Sequence, residues 1–511
     1  MLQTFREGVT CSMPNTMELT FPEIDPNLDQ NDEYLKNLLG VGVSWDMLAK
    51  PFVFSGQRMT AYTANGFFLT MNMVLILDNL EKTLKQYFQE RASEPFQILE
   101  LIDYLTVTVG FVQVQAVDKM QDAVRYILSG PMVLFIDGST VALLIDTRIY
   151  PMRSIEEPEV ERVVRGPRDG FIEVMLMNVA LIRRRLRDPR LRVELFQIGT
   201  RAQTDVSLMY LEDVTNKDLV RDIREKIKSF PLDIAAMGAQ SMTEWIGQVK
   251  WNPYPIFRLT ERPDVATAGL MEGQVVIVVD TTPEVMIGPT TIFHHIHHPE
   301  DYHNYPSVGL YMRIASFLGF LFSVFGPSLF IVLAAEHDHL PKNLMFLGTP
   351  KPMPLSLGLQ FFITQVVIDL FERAVINTPS TLATAISIFA AIIFSQFAVM
   401  MNLLSPEALF FVGTAAVAQY ATSSRELGSA NRVARLWMII MAWGLGGKGM
   451  IIATLVWLIV VWRTRALAVP YLWPIVPFSW KGIKGLFSRN PLYQLGNISN
   501  PLRPQRQSSK K

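Results

Sequence analysis

The chain has 511 residues and a formal net charge of −1, so no global electrostatic pull draws it toward nucleic acid, and its length allows more than one domain. The single cysteine, Cys11, excludes an intrachain disulfide and fits a reducing compartment. The mean hydropathy of +0.23 averages two halves, one mixed and charged up to Tyr311, the other dominated by apolar runs from Ile314 to Trp462.

MLQTFREGVT lacks an apolar h-region, so no secretory signal is visible and the N-terminal half is expected in the cytoplasm. Residues 1–50 are acidic and polar, with Asp25, Asp29, Asp32 and Glu33, and are expected to form an arm. From Pro51 the pattern becomes α/β. Asn72–Arg91 has helical spacing, with Leu77, Leu80, Leu84 and Phe88 on one face. Met132–Tyr150 reads as two apolar strands around an Asp137-Gly138 turn, a dipeptide suited to the positive φ of hairpin turns. Asp169 is placed to cap a helix that runs to Arg187 and ends at Pro189.

A second α/β unit comes next. VELFQIG and DVSLMYLEDV read as strands, and NKDLVRDIREKIKSF as a helix with Leu219, Ile223 and Ile227 on one face. Pro263 opens another helix, Gly273 ends it, and QVVIVVD and EVMIG are strands around a turn. The expected fold class is therefore an α/β N-terminal domain of two small subdomains joined by a helix, plus an α-helical multi-span membrane domain. The boundaries are an arm over 1–50, subdomain 1 over 51–168, a connector helix over 169–190, subdomain 2 over 191–311, the membrane domain over 312–475 and a basic tail over 476–511.

Ile314–Ala335 carries no charge and, as a helix, reaches about 33 Å, enough to cross a bilayer core. Leu382–Met401 is a second span and Ala408–Ala421 a shorter one. Ala434–Trp462 is one long segment broken at Leu445–Gly449. The basic tail argues for a cytoplasmic C-terminus, hence an even number of spans, four or six. Four would leave Arg425, Arg432 and Arg435 outside. In Gly358–Asn377, Gln365, Asp369, Glu372 and Arg373 share one face, so these charges must meet water, headgroups or protein. Two readings stand: an interfacial amphipathic helix, or a helix inside an oligomeric bundle with Arg373 paired to Asp369.

Within Thr381–Asn402, Thr381, Thr384, Ser387, Ser395 and Asn402 project into a sector of about 120°, with Ala391 and Ala398 on the same side. Small and hydroxylated faces serve close helix packing or line pores. His294, His295, His297, His298 and His303 precede the first span, while His337 and His339 come after it. The spacings match no zinc pattern, so no metal is expected, and a solvated pre-membrane helix or a pH sensor remains. GLGGKG at Gly444–Gly449 lacks the Ser or Thr of a phosphate loop and is read as a helix break. No catalytic constellation appears, no enzyme activity or cofactor is expected, and a secondary transporter is disfavoured for want of an internal repeat.

Several segments together resemble the A-subunit family of bacterial spore germination receptors. They are RGPRDGFIE and LIRRRLRD, GTRAQTDVSLMYLEDVTN, LTERPDVATAGLMEGQVVIVVDTTPEVMIGP, HPEDYH, SRELGSANRVAR and PYLWPIVP. GTRAQTDVS and SRELG are most similar to the stage V sporulation AF branch of that family. The resemblance implies a two-part cytosolic domain and a multi-pass domain in the inner spore membrane. It further implies a homo-oligomeric ring, a pentamer, that conducts cations and amplifies ion release. A small membrane partner and germination receptor or dipicolinic acid channel proteins are the implied associates. The alternative is a non-conducting scaffold that docks those proteins. Under the ring reading, Thr381, Thr384, Ser387, Ala391, Ser395, Ala398 and Asn402 line the pore, and Asp369, Glu372 and Arg373 are membrane-embedded charges. The Arg-rich stretch first suggests a phosphate grip. Arg183, Arg184 and Arg185, however, point in successive directions, and Asp169, Glu173, Asp188 and Glu194 are counter-charges. Nucleic acid is therefore not expected; Arg165, Arg168, Asp169, Arg183, Arg184 and Arg185 are read as a connector that serves assembly.

Overall fold

The computed structural model describes residues 20–54, 56–68, 70–90, 98–108, 114–148, 158, 161–164, 166–230, 238–248, 251–336, 353–467 and 469–487. Arg165, His337 and His339 lie outside the described residues.

The first unit comprises α1 (Leu28–Leu39), β1 (Met47–Phe54), β2 (Gln57–Ala64), α2 (Thr70–Glu90), α3 (Ile98–Thr108), β3 (Val114–Val117), α4 (Met120–Ser129), β4 (Met132–Ile136) and β5 (Ala142–Ile145). Its sheet is antiparallel, in the order β1-β2-β4-β5-β3. The expected hairpin is β4–β5, with Gly138 at φ 83° in its turn. Strand β4 is apolar without alternation because both faces are covered. Met132, Leu134 and Ile136 join the core with α2 and α3, and Val133 and Phe135 the core with α1 and α4.

From residue 20 onward the expected arm is therefore folded structure. Asn27 caps α1 by accepting from the Asp29 amide, Gly40 closes it in the left-handed region, and Leu28, Leu35 and Leu39 are buried on the sheet. Each such leucine contributes roughly 1.5–3 kcal/mol of burial. Segment 40–46 then seals the edge of the second sheet. The Trp45 amide donates to the Val193 carbonyl at 3.1 Å, and the Val193 amide to Ser44 Oγ at 3.2 Å.

The second unit repeats the first element for element. It comprises α5 (Met175–Arg185), β6 (Leu191–Ile198), β7 (Thr204–Leu211), α6 (Lys217–Lys228), α7 (Ala239–Gly247), β8 (Arg258–Thr260), α8 (Pro263–Met271), β9 (Val275–Val279) and β10 (Val285–Gly288). The sheet order β6-β7-β9-β10-β8 maps onto that of the first sheet strand by strand. Helices α6 and α7 cover one face and α5 and α8 the other. The expected connector is thus the first helix of the second repeat, the counterpart of α1. It is shorter than expected, and Asp169 does not cap it. Val174 occupies the cap, and Asp169 instead pairs with Arg185 at 2.5 Å. The helix buries Met175, Val179 and Ile182 on the second sheet and reaches the first unit's core through Ala180.

Helices α9 (Ile292–Ile296) and α10 (Glu300–His303) lead into a helical domain. It holds α11 (Pro306–Ala335), α12 (Leu357–Ile376), α13 (Ser380–Ile392), a π-helical turn (Ile393–Phe397), α14 (Ala398–Met400), α15 (Pro406–Ala418) and α16 (Arg425–Arg463). By length and composition, α11 and α16 each suit a membrane span. A straight α16 of 39 residues would measure about 58 Å. Instead it folds in two at Gly446 (φ 59°, ψ −140°), and both ends return to α9. The Ser424 amide donates to the His295 carbonyl; Tyr471 links the Thr464 carbonyl to the Ile292 amide. At the fold a Cβ on Gly449 would lie 1.9 Å from the Met441 carbonyl oxygen, so the turn needs glycine there.

The other helices alternate in direction. Phe330 near the end of α11 stacks on Phe361 near the start of α12, with ring centres 5.7 Å apart. The Ser405 amide, just before α15, donates to Gln360 Oε1 at the same far end. Among the described residues the array therefore has six antiparallel helical segments, counting each half of α16 once. Beyond it, β11 (Arg465–Ala466) and β12 (Val469–Pro470) insert Ala466 and Val469 into the second unit's core, and α17 (Trp480–Phe487) closes the described chain.

Candidate functional site

The middle of the helical domain holds a polar network. Arg435 lies eleven residues after Ser424, about 16 Å along α16, and is fully buried. Its Nε donates to Gln365 Oε1 at 2.7 Å, Nη1 to the Ser323 and Ala415 carbonyls at 3.1 and 3.0 Å, and Nη2 to Gln419 Oε1 at 3.2 Å. One guanidinium thereby ties α11, α12 and α15 to α16. Gln365 passes the contact on, its Nε2 donating to Asp369 Oδ1 at 2.7 Å. Arg432, one turn before Arg435, sits 3.4 Å from Asp369 and pairs with Glu372, which also accepts from the Tyr420 hydroxyl at 2.7 Å.

This differs from the expected Arg373–Asp369 pair. The charged face of α12 meets protein, with Gln365, Asp369 and Glu372 turned toward α16. The partner of Asp369 is Arg432; Arg373 is exposed. Arg425 and Arg432, in the first turns of α16, lie toward the same end as the α/β units. These charges are half-buried, and each carboxylate has a cation and a second donor.

The proposed pore stripe is only partly continuous. Thr381, Thr384, Ser387 and Ala391 lie on α13, with Thr384 and Ser387 exposed. Ser395 falls in the π-helical turn. That turn adds a residue to the helical repeat and rotates the rest of the helix by about 100°. Ala398 is thus turned off the stripe. Asn402 lies beyond the helix at φ 53° and leaves it altogether. Helix α13 packs on α12 and leaves Leu382, Ile388, Phe389 and Ile392 exposed.

The histidines have a different place from a solvated helix. His295 is fully buried where the second α/β unit meets the helical domain. Its Nε2 lies 2.9 Å from Thr290 Oγ1 and its Nδ1 3.0 Å from Ser424 Oγ, the N-cap of α16. Burial, with Arg258 nearby, pushes its pKa well below the ordinary value, so the ring is neutral at neutral pH. Among the described residues no three metal-ligating side chains gather.

The arginine segment divides as its directions require. Arg183 is buried and donates through Nε to Asp46 at 2.8 Å and through Nη1 and Nη2 to the Asp188 and Leu191 carbonyls. Arg185 holds Asp169, while Arg184 and Arg168 face solvent. Arg192, which sequence reasoning missed, reaches the Leu38 carbonyl and lies so close to Gly40 that a Cβ there would sit 2.9 Å from its Nε. The closing Gly40 of α1 was the available signal.

Comparison with known proteins gives consistent matches. Residues 33–499 match the family described as Bacillus/Clostridium GerA spore germination protein. Stage V sporulation protein AF of Bacillus subtilis (strain 168) is 36% identical over 457 residues, covering 89% of this chain and 91% of its own. The uncharacterized membrane protein YfkQ of the same organism is 27% identical over 481 residues, covering 92% and 90%. The crystal structure of the N-terminal domain of the A subunit of the Bacillus megaterium spore germinant receptor GerK3 is 27% identical. It covers 53% of this chain and 97% of its own, with a TM-score of 0.41.

Proposed function

Because the chain belongs to the GerA family of spore germination proteins, we propose that it is a multi-pass subunit of the inner spore membrane that promotes germination by conducting cations. The α/β units lie in the cytoplasm, and identical copies assemble in a ring. The observation that carries this reading is α13: Thr384 and Ser387 on its hydroxyl-bearing side and Leu382, Ile388, Phe389 and Ile392 on its apolar side are exposed, although the segment sits in an apolar bundle. A ring of copies places one such helix per subunit around a central path, where the hydroxyls of Thr381, Thr384 and Ser387 solvate a passing ion and the small Ala391 leaves the path open. The Arg432, Arg435, Asp369 and Glu372 network lies behind α13 and holds the remaining helices as a rigid wall. A small membrane protein and germination receptor or dipicolinic acid channel proteins are the associates this role calls for.

The test is monovalent cation flux through purified full-length protein in liposomes. Wild type is expected to conduct, and Ser387→Leu to lower the flux by about tenfold with the oligomer intact, since it replaces a solvating hydroxyl with hydrocarbon. Oligomers that carry no flux refute conduction and leave the docking scaffold.

A further inference from the structure

We propose that the turn after α16 binds the phosphodiester headgroup of an anionic phospholipid. The inference rests on the reading of α16 as a membrane hairpin. The last turn of its second half carries Trp462 and Arg463, and the chain continues through Thr464 into Arg465. Both arginines are exposed. They line one groove of about 440 Å³ together with Trp462, Pro470, Leu472, Val476 and Pro477. Among the described residues neither guanidinium has a carboxylate within ion-pair distance. Arg432, Arg435 and Arg313, by contrast, are each engaged elsewhere in the domain.

The rim has the complementary chemistry. Trp462, Ile475, Phe478 and Trp480 are between 47% and 71% exposed, and the Phe478 and Trp480 rings stack with centres 6.5 Å apart. Trp462 lines the doubly basic groove itself, and Ile475, Phe478 and Trp480 adjoin its lining residues Val476 and Pro477 along the chain. That combination suits an acyl-glycerol body with a charged phosphate better than it suits a free ion, which needs no apolar rim. The groove is also built rather than a loose loop. Behind it the β11–β12 hairpin is anchored in the second α/β unit, and α17 approaches so closely that a Cβ on Gly482 would lie 2.5 Å from Pro474. Arginine is the fitting cation, since its planar fork meets two phosphate oxygens at once.

The test uses the full-length protein in detergent, equilibrated with equimolar phosphatidylglycerol and phosphatidylcholine and examined by native mass spectrometry. Wild type is expected to retain phosphatidylglycerol in preference. Arg463→Gln with Arg465→Gln is expected to cut that retention by roughly 10–30-fold. Arg463→Lys with Arg465→Lys, which keeps the charge but not the bidentate fork, should recover part of it, and this guards against a folding defect. Lys448→Gln, at the opposite end of the hairpin, should change nothing. Equal retention of both lipids, or an equal loss in Lys448→Gln, overturns the proposal. So does arginine-dependent binding of inorganic phosphate without lipid preference. Release of the protein from membranes by alkaline carbonate overturns the membrane reading itself. Retention in membranes without headgroup preference overturns the lipid site alone.

Discussion

Asp46 precedes β1 in the stretch whose composition reads as an arm, and its substitution separates arm from integrated fold. Its carboxylate and the Arg183 guanidinium are each 1% exposed and 2.8 Å apart. At an effective dielectric near 20, charges at that distance attract by about 6 kcal/mol, most of which offsets their desolvation. Removing one partner strands the other as a buried charge. Asp46→Ala should therefore cost about 3–5 kcal/mol, because Arg183 keeps only the Asp188 and Leu191 carbonyls. Asp46→Leu with Arg183→Met removes both charges and should lie within about 2 kcal/mol of wild type, since hydrophobic replacement of a buried pair is often neutral. The assay is thermal unfolding of the full-length protein followed by tryptophan fluorescence. At roughly 2–4 °C per kcal/mol, the single variant should unfold about 6–20 °C earlier. An Asp46→Ala protein that melts with wild type refutes the integrated reading and restores the arm.

The other expectations concern the helical domain. Arg435→Gln should lower the unfolding temperature by more than Arg373→Gln does, since the former orphans buried acceptors at about 1–3 kcal/mol each and the latter is exposed; equal effects count against the network. Arg432→Glu should impair assembly of the folded domain, and Glu372→Arg in the same chain should restore part of it; no recovery in a thermal-shift comparison sinks the pairing. His295 has a folded-state pKa below its unfolded value of about 6.5, so the unfolded chain binds the extra proton between the two. Its contribution is full above about pH 6.5 and drains below it, by up to about 1.4 kcal/mol per pH unit. The unfolding temperature should thus fall from pH 7.5 to 5.5 and fall less in His295→Gln, whereas a flat wild-type profile contradicts the buried junction.

Local chemistry explains the elements that are legible from pattern alone. The β4–β5 hairpin comes from Asp137-Gly138, α8 from Pro263, the buried stripe of α6 from Leu219, Ile223 and Ile227, and the break in α16 from its glycines. Helix α1 was hidden because acidic residues surround a stripe of three leucines, although Asn27 and Gly40 mark both of its ends. The repeat was hidden for another reason. DAVRYILSGPMVLFID and VATAGLMEGQVVIVVD share an alanine, a glycine, a valine and a closing aspartate in register and otherwise mainly apolar character, because a sheet covered on both faces asks only for apolar residues.

The sequence by itself determined several of the elements, the division into charged and apolar halves, and the family resemblance, since each rests on short-range pattern. Only the tertiary structure decided that α5 opens a second repeat, as the counterpart of α1, and that α16 doubles back on itself. It alone assigned Asp369 and Glu372 to Arg432, sixty or so residues away, and not to their neighbour Arg373. Partnership between distant residues depends on how helices pack across the bundle, and a helical wheel holds no term for the helix on the other side.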